Sequence, residues 1–315
     1  MVYKYIFGPV PSRRLGLSLG VDPVPKKICS LDCVYCEVGR TTDKTLQRKP
    51  YVPAEIILSE LSDFLSTYKN KIDVITFSGS GEPTLNSDLG KIIKGIRKLT
   101  DIKIALLTNG TILWDPDVRK DIVDVDIIMP SLDAVTPEIF KKVNQPYKNL
   151  TVDMVIKGEI ALRKEFAGEY DLEILIVKGI NDKESEYRKL AEVVNKIDPD
   201  SVQLNTVVRP PGKGNAKAVD RNELEKLKIL IGKKANIIPD FQVDKDNKGS
   251  LDLYDSLINM LKIRPCTLDE ISTALQVEKE TVKMAINGLG YKGYLYEEER
   301  DGKVFYKIKE IGGVL

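Results

Sequence analysis

Three of the chain's four cysteines fall within eight residues, Cys29-Ser30-Leu31-Asp32-Cys33-Val34-Tyr35-Cys36, and the 315 residues include no histidine. Thiols this close in sequence share one short loop, and the rest of the chain has to hold that loop in place. Three thiolates on a loop can each take one iron of a 4Fe-4S cluster, which leaves the fourth iron open to another ligand. A structural zinc site is the competing reading. It wants four Cys or His donors, whereas the fourth cysteine, Cys266, lies far downstream. Disulfide frameworks belong to small secreted chains with many paired cysteines, so three clustered thiols in a long chain fit one poorly. Accident is the remaining alternative, and it predicts no companion features elsewhere in the chain.

Length and charge narrow the class. The chain is long enough for one large α/β domain and a small second one. Its 42% hydrophobic content and dispersed charge describe a globular protein. Forty-eight Lys and Arg stand against forty-seven Asp and Glu, a net charge of +1 that gives no support to a nucleic-acid partner. No long uncharged apolar run predicts a membrane span, and the N-terminus lacks the apolar centre of a signal peptide. Together with the few free thiols, this places the expected protein in the reducing cytoplasm.

Read in order, the chain alternates. Leu15, Leu17, Leu19 and Val21 alternate with small residues and predict a strand from about Leu15 to Asp22, feeding the cysteine loop. Pro53-Ala54-Glu55 opens a helix to about Tyr68. Strands then follow near 73–78, 103–108, 125–129, 171–177 and 201–208. Helices are expected over 86–99, 115–122, 136–166 with a break near Pro146, 183–197 and 220–233. Six strand–helix alternations predict a parallel sheet with right-handed crossovers. Six units are too few for a closed eight-fold barrel, so the fold class is α/β, a partial (βα)6 TIM-like barrel. In such folds chemistry collects at the carboxyl ends of strands. Those ends read Gly79-Ser80-Gly81-Glu82, Thr108-Asn109-Gly110, Ser131-Leu132-Asp133, Lys178-Gly179-Ile180-Asn181 and Asn205-Thr206. Arg13-Arg14 before the first strand and Arg209 and Lys213 in a Pro/Gly loop after the last are candidate contacts for an anionic substrate group.

The CxxxCxxC spacing with Tyr35 before its last cysteine resembles the signature of the radical S-adenosylmethionine (radical SAM) superfamily. The resemblance covers residues 1 to about 235. With Phe7-Gly8-Pro9-Val10-Pro11-Ser12 and the Gly79–Glu82 turn it points to an iron–sulfur oxidoreductase branch related to the wyosine (tRNA base) synthases. It implies that Cys29, Cys33 and Cys36 hold a 4Fe-4S cluster whose open iron chelates S-adenosylmethionine. Reduction then cleaves the sulfonium to a 5′-deoxyadenosyl radical, which abstracts hydrogen from a substrate. The electron comes from an external donor of flavodoxin or ferredoxin type. Tyr35 is implied beside the nucleoside. Gly79, Ser80, Gly81 and Glu82 stand where the family has GGEP, with Ser80 as the departure. Glu82 would attract the methionine ammonium directly or by fixing the turn. Asn109, Ser131 and Asp133 would serve the ribose hydroxyls and the carboxylate, and Asn181 and Asn205 the adenine.

Residues 1–240 are thus expected to form the barrel, 241–250 a polar linker and 251–315 a second unit. Helices near 251–263, 267–275 and 278–289 and a hairpin around Asp301-Gly302 resemble a winged helix-turn-helix. Thr267-Leu268-Asp269-Glu270 reads as a capping box. Nine Lys and Arg against eleven Asp and Glu make residues 251–315 net negative, which argues against duplex DNA. Cys266 reads as a small buried hydrophobe. The favoured function is radical chemistry on a macromolecule, protein or RNA, with the second unit docking it. A small metabolite as substrate and an iron–sulfur sensor that binds DNA are the alternatives.

Overall fold

The computed structural model describes residues 3–12, 14–238, 264–275, 277–291 and 294–308, with single positions between 253 and 261. Arg13, the expected linker over 241–250 and most of the expected helix over 251–263 lie outside the described residues.

Eight strands form one sheet in the order β1 (Ile6–Ser12), β2 (Gly16–Val21), β5 (Val74–Phe77), β6 (Lys103–Thr108), β7 (Ile127–Pro130), β8 (Glu169–Ile176), β9 (Ser201–Thr206) and β10 (Ala235–Ile237). From β2 to β10 every neighbouring pair is parallel. The strands β2, β5, β6, β7, β8 and β9 are the six that the alternation predicts. Two short strands, β3 (Ile28–Cys29) and β4 (Asp43–Lys44), pair outside the sheet and flank the cysteine loop.

Two strands of the eight-stranded sheet escape the sequence reading. β1 carries Pro9 and Pro11, which cannot donate to a ladder, yet it pairs only with β2 as the antiparallel edge of the sheet. β10 has three residues, too few for a period-two signal. Between strands, the helices form an outer layer: α1 (Ala54–Thr67) packs on α2 (Leu89–Leu99), α2 on α3 (Pro116–Ile122), α5 (Val152–Glu165) on α6 (Glu184–Ile197), and α6 on α7 (Arg221–Ile231). The helix expected over 136–166 is two helices. α4 (Pro137–Val143) ends where Gln145 and Asn149 take left-handed backbone, φ 45° and 67°, and α5 restarts under a Thr151 cap. Val74–Phe77 and Ile127–Pro130 are buried throughout, as strands covered on both faces must be.

The C-terminal elements are β11 (Cys266–Thr267), helices Leu268–Leu275 and Lys279–Tyr291, and a hairpin of β12 (Leu295–Arg300) and β13 (Lys303–Ile308), with sheet order β11-β13-β12. The capping box forms: Thr267 N donates to Glu270 Oε2 at 2.8 Å and Glu270 N to Thr267 Oγ1 at 3.2 Å. Asp301 and Gly302 both have positive φ, 50° and 72°, as a two-residue hairpin turn requires. Cys266 is fully buried, with Ile271, Val282 and Ile286, in an apolar cluster separate from that of the sheet. Val10 of β1 packs against this cluster, and helix Leu268–Leu275 lies on β1. Among the described residues no helix is long and apolar enough to cross a membrane.

Candidate cluster and cofactor site

The cysteine loop is fixed from several sides. Asp32 N and Val34 N donate to the carbonyls of Asn144 and Val143, each at 3.0 Å, and Gly212 N donates to Cys36 O at 2.8 Å. The Asp32 carboxylate accepts from Thr41 N at 2.8 Å and takes the Lys213 ammonium. Each sulfur has an N–H group directed at it. Asn109 Nδ2 reaches Cys29 at 3.4 Å, Asn144 Nδ2 reaches Cys33 at 3.4 Å and Lys27 Nζ reaches Cys36 at 3.3 Å. Burial pushes the Cys29 thiol up to about 12, with the Glu82 charge adding to it, and burial with the Asp133 charge raises Cys33 as well. Half-buried sulfurs with hydrogen-bond donors already in place suit metal-bound thiolates, because a cation relieves the cost of a thiolate held partly out of water. Among the described residues no three His, Cys, Asp or Glu side chains converge on one ion. A cubane asks each thiolate for a different iron, so the trio fits a cluster better than a single zinc.

The glycine turn is pressed against this loop. Lys27 N donates to Ser80 O at 2.8 Å and Glu82 N to Ile28 O at 3.1 Å. A Cβ on Gly81 would stand 2.4 Å from the Ile28 carbonyl oxygen, next to Cys29. Gly79 has φ 134°, and a Cβ there would stand 2.4 Å from Asp22 Cγ. Both positions therefore demand glycine for stated steric reasons. Asp22 accepts from Ser80 N at 3.0 Å and from the Ser80 hydroxyl, and burial raises its carboxyl to about 6. Glu82 is buried beneath the turn. Its Oε1 accepts from Thr84 N at 3.1 Å and from the Thr84 and Thr108 hydroxyls at 2.6 Å, and its Oε2 accepts from Asn109 N at 2.8 Å. Of the two roles expected for Glu82, its hydrogen bonds make it a brace for the turn.

The later strand ends continue the bracing. Asn109 links Cys29 to Ser30 Oγ at 2.9 Å. Ser131 N donates to Thr108 O at 3.0 Å, tying two strand ends together. Asp133 accepts from Tyr35 OH at 2.5 Å, Asn144 Nδ2 at 2.7 Å and Leu175 N at 2.9 Å, and burial raises its carboxyl to about 6. Tyr35 is thereby held from behind by its hydroxyl. The Asn181 amide donates to Asp133 O and Leu175 O, each at 2.8 Å, and its Oδ1 accepts from Val177 N at 2.7 Å. That side chain braces the loop from within and is not among the cavity walls. Asn205 does face the cavity, with its amide on Glu173 Oε1 at 3.1 Å.

A cavity of about 420 Å³ opens at these strand ends. Of the expected residues, Cys33, Cys36, Tyr35, Gly79, Asn205, Arg14 and Arg209 line it. Arg14 pairs with Glu173 at 2.9 Å across it. Arg209 is buried between Glu270 at 2.6 Å and Glu37 at 3.3 Å. Lys213 binds Asp32 and, at 3.3 Å, Gln145 Oε1, which clamps the cysteine loop, and it is not among the walls of this cavity. Met260 and Arg264 come from the C-terminal part of the chain and close one side of the cavity.

The sequence reading missed Lys27, Asn144 and Glu173. Glu173 had a signal, a charge inside the apolar strand Asp171-Leu172-Glu173-Ile174-Leu175-Ile176. Asn144 follows a helix rather than a strand, and Lys27 is one lysine among many, so neither had one.

Residues 24–192 match the family model described as the radical SAM superfamily. The chain is 35% identical over 306 residues to a UPF0026 protein of Methanocaldococcus jannaschii, covering 95% of this chain and 94% of that protein. It is 38% identical over 308 residues to a protein named GTPase Obg in Brachyspira hyodysenteriae, covering 97% of this chain but 45% of that protein. The chain thus spans less than half the length of that relative. Among solved structures, TYW1 with a lysine-pyruvate adduct bound superposes with a TM-score of 0.53 at 17% identity, covering 71% of this chain and 75% of that one.

Proposed function

The chain belongs to the radical SAM superfamily, a family of enzymes that use a 4Fe-4S cluster and S-adenosylmethionine, and we propose that it abstracts hydrogen from a small polar molecule. The observation that carries the substrate class is that both parts of the chain line one cavity. Met260 and Arg264 are among its walls, and the second unit that supplies them is held to the barrel by the buried Arg209–Glu270 pair. Arg300 adds hydrogen bonds to the carbonyls of Arg209 at 3.0 Å and Ala216 at 2.6 Å, and Lys307 Nζ one to Glu37 O at 3.3 Å. A cavity of about 420 Å³ is near the lower end of small-ligand pockets, about 300–1,000 Å³. The cluster and S-adenosylmethionine would take up most of that space, so a substrate admitted beside them has to be small. The macromolecular reading requires the second unit to swing away.

Cys29, Cys33 and Cys36 would hold the cluster. Bound there, the reduced cluster and S-adenosylmethionine supply a 5′-deoxyadenosyl radical. The protein's own part is positional. Gly79 and Gly81 let backbone come close, and Glu82 fixes the turn that presents it. Asp133 and Asn144 hold Tyr35 and Cys33 in place. Arg14 and Glu173 give the opposite wall a charged, hydrogen-bonding surface for a polar substrate. The second unit, read as a winged helix, serves as a wall. Its net negative charge and the packing of helix Leu268–Leu275 on β1 both speak against reading duplex DNA.

The test is anaerobic. Reconstituted protein with dithionite and S-adenosylmethionine should form 5′-deoxyadenosine. Fractionated, deuterium-labelled cell extract should then deliver deuterium into that product from the small-molecule fraction. Label arriving only from the protein or RNA fraction would reject the substrate class, and no 5′-deoxyadenosine at all would reject the chemistry.

A further inference from the structure

The proposed chemistry consumes an electron, and the cysteine loop has two faces by which one can arrive. Its inner face, with Cys33, Tyr35 and Cys36, looks into the substrate cavity that β1 and the second unit wall off. We propose that the outer face is the docking surface of an acidic one-electron carrier protein. The proposal rests on the reading that the loop holds a reducible cluster.

Val34, between Cys33 and Cys36 in sequence, forms part of an open depression of about 320 Å³ on the outside of the loop. Val177 and Ile180 join it as an apolar floor, and Lys178 and Lys213 are the charged residues among its walls; no carboxylate lines it. Two further lysines are brought to its edge. Lys178 N donates to Lys217 O at 2.9 Å, which places Lys217 beside Lys178. Lys44 Nζ donates to Gln145 O at 2.8 Å, on the segment that receives the cysteine-loop amides. Of the nearby acids, Asp32 pairs with Lys213, and Asp182 is turned onto Gly179 N at 2.8 Å and does not line the depression. Apart from the Lys213–Asp32 ion pair, a chain with a net charge of +1 therefore brings Lys44, Lys178 and Lys217 around one small apolar patch behind its cysteine loop.

Charge complementarity selects the occupant. A lysine rim attracts an acidic surface, accelerates encounter and makes it sensitive to salt. A small apolar centre within charged surroundings matches the small interfaces of transient electron-transfer pairs, which bury less than about 1,200 Å². A second basic patch, Lys91, Lys94 and Lys98 beside Leu58 and Leu99, lies on the outer helices. No cysteine-loop residue lines it, so it has similar charge without access to the loop.

The probe is flavodoxin in its fully reduced form, mixed anaerobically with the cluster-loaded protein while the cluster absorbance is followed. In the Lys178→Glu/Lys217→Glu variant the second-order rate of cluster reduction should fall at least tenfold at low salt and lose most of its salt dependence. Cluster absorbance and reduction by dithionite should be unchanged, and Lys94→Glu/Lys98→Glu should match the parent. Carbodiimide cross-linking to flavodoxin, with and without iron in the protein, should couple Lys178 or Lys217. An unchanged flavodoxin rate in the first variant, or cross-links on Lys91, Lys94 or Lys98, would overturn the proposal. Failure of dithionite to bleach the cluster would strike the cluster reading instead, and the cross-links to iron-free protein would still judge the surface.

Discussion

Gly81 and the Ile28 carbonyl leave no room for a methyl group between the glycine turn and the cysteine loop. Gly81→Ala should displace Ile28 and with it Cys29, at a cost of about 1–3 kcal/mol as an overpacked contact. Urea unfolding reads the stability, and iron bound after anaerobic reconstitution should fall with it. Asp22 carries a pH dependence. Its carboxyl ordinarily titrates near 3.8 and burial raises it to about 6, so the folded chain holds that proton more tightly than the unfolded one. The stability due to this group is complete below about pH 4 and drains away as pH rises through 6, about 3 kcal/mol in all. Asp22→Asn should narrow the difference in unfolding free energy of iron-free protein between pH 5 and pH 7; an unchanged difference would mean that Asp22 does not titrate there. The three cysteines and both glycines were legible as residues because each type has few alternatives. Asp22 was noted only as lying ahead of the cysteine loop, since a buried carboxylate looks like any other until its neighbours are known.

The period-two and helical patterns were readable for β5 to β9 because strands covered on both faces are short apolar runs between helices. β1 was not, because its prolines argue against a strand unless it lies at an edge, and sequence does not say which strand is the edge. The loop after β9 shows the same limit. Arg209 and Lys213 were read as substrate contacts since they follow a strand end, and sequence alone shows no sign of the distant partners they pair with, Asp32 for Lys213 and Glu37 and Glu270 for Arg209. Arg209 is thus the pin between the barrel and the C-terminal elements. Arg209→Met takes from buried Glu270 the cation it is hydrogen-bonded to and leaves the Arg264 charge, so the cost should reach at most about 3–5 kcal/mol, that of a broken buried pair. The amides of β11 and β13 should exchange with solvent faster in that variant. Glu270→Gln keeps the capping geometry and removes only the charge, so it should cost less; an equal cost would assign the effect to the cap.

At the scale of the whole molecule, the barrel and the cysteine loop at its strand ends were foreseeable from strand order and spacing, but the placement of the C-terminal elements was not. A winged-helix pattern announces its own core, Cys266, Ile271 and Ile286, and says nothing of what that core is set against. Here it is set against β1, and that contact turns a separate-looking unit into one wall of the cavity. Met260 offers a sharp test. It is 1% exposed and belongs to both the C-terminal apolar cluster and the cavity wall. Met284, on helix Lys279–Tyr291, is 73% exposed and touches neither. If the second unit completes the site, Met260→Asp should reduce dithionite-driven 5′-deoxyadenosine formation severalfold at unchanged iron content, because a charge enters the apolar wall and water follows it. Met284→Asp should leave both measurements as they are. Loss of iron in Met260→Asp would trace the effect to the cysteine loop, and normal 5′-deoxyadenosine formation in both variants would separate the second unit from catalysis.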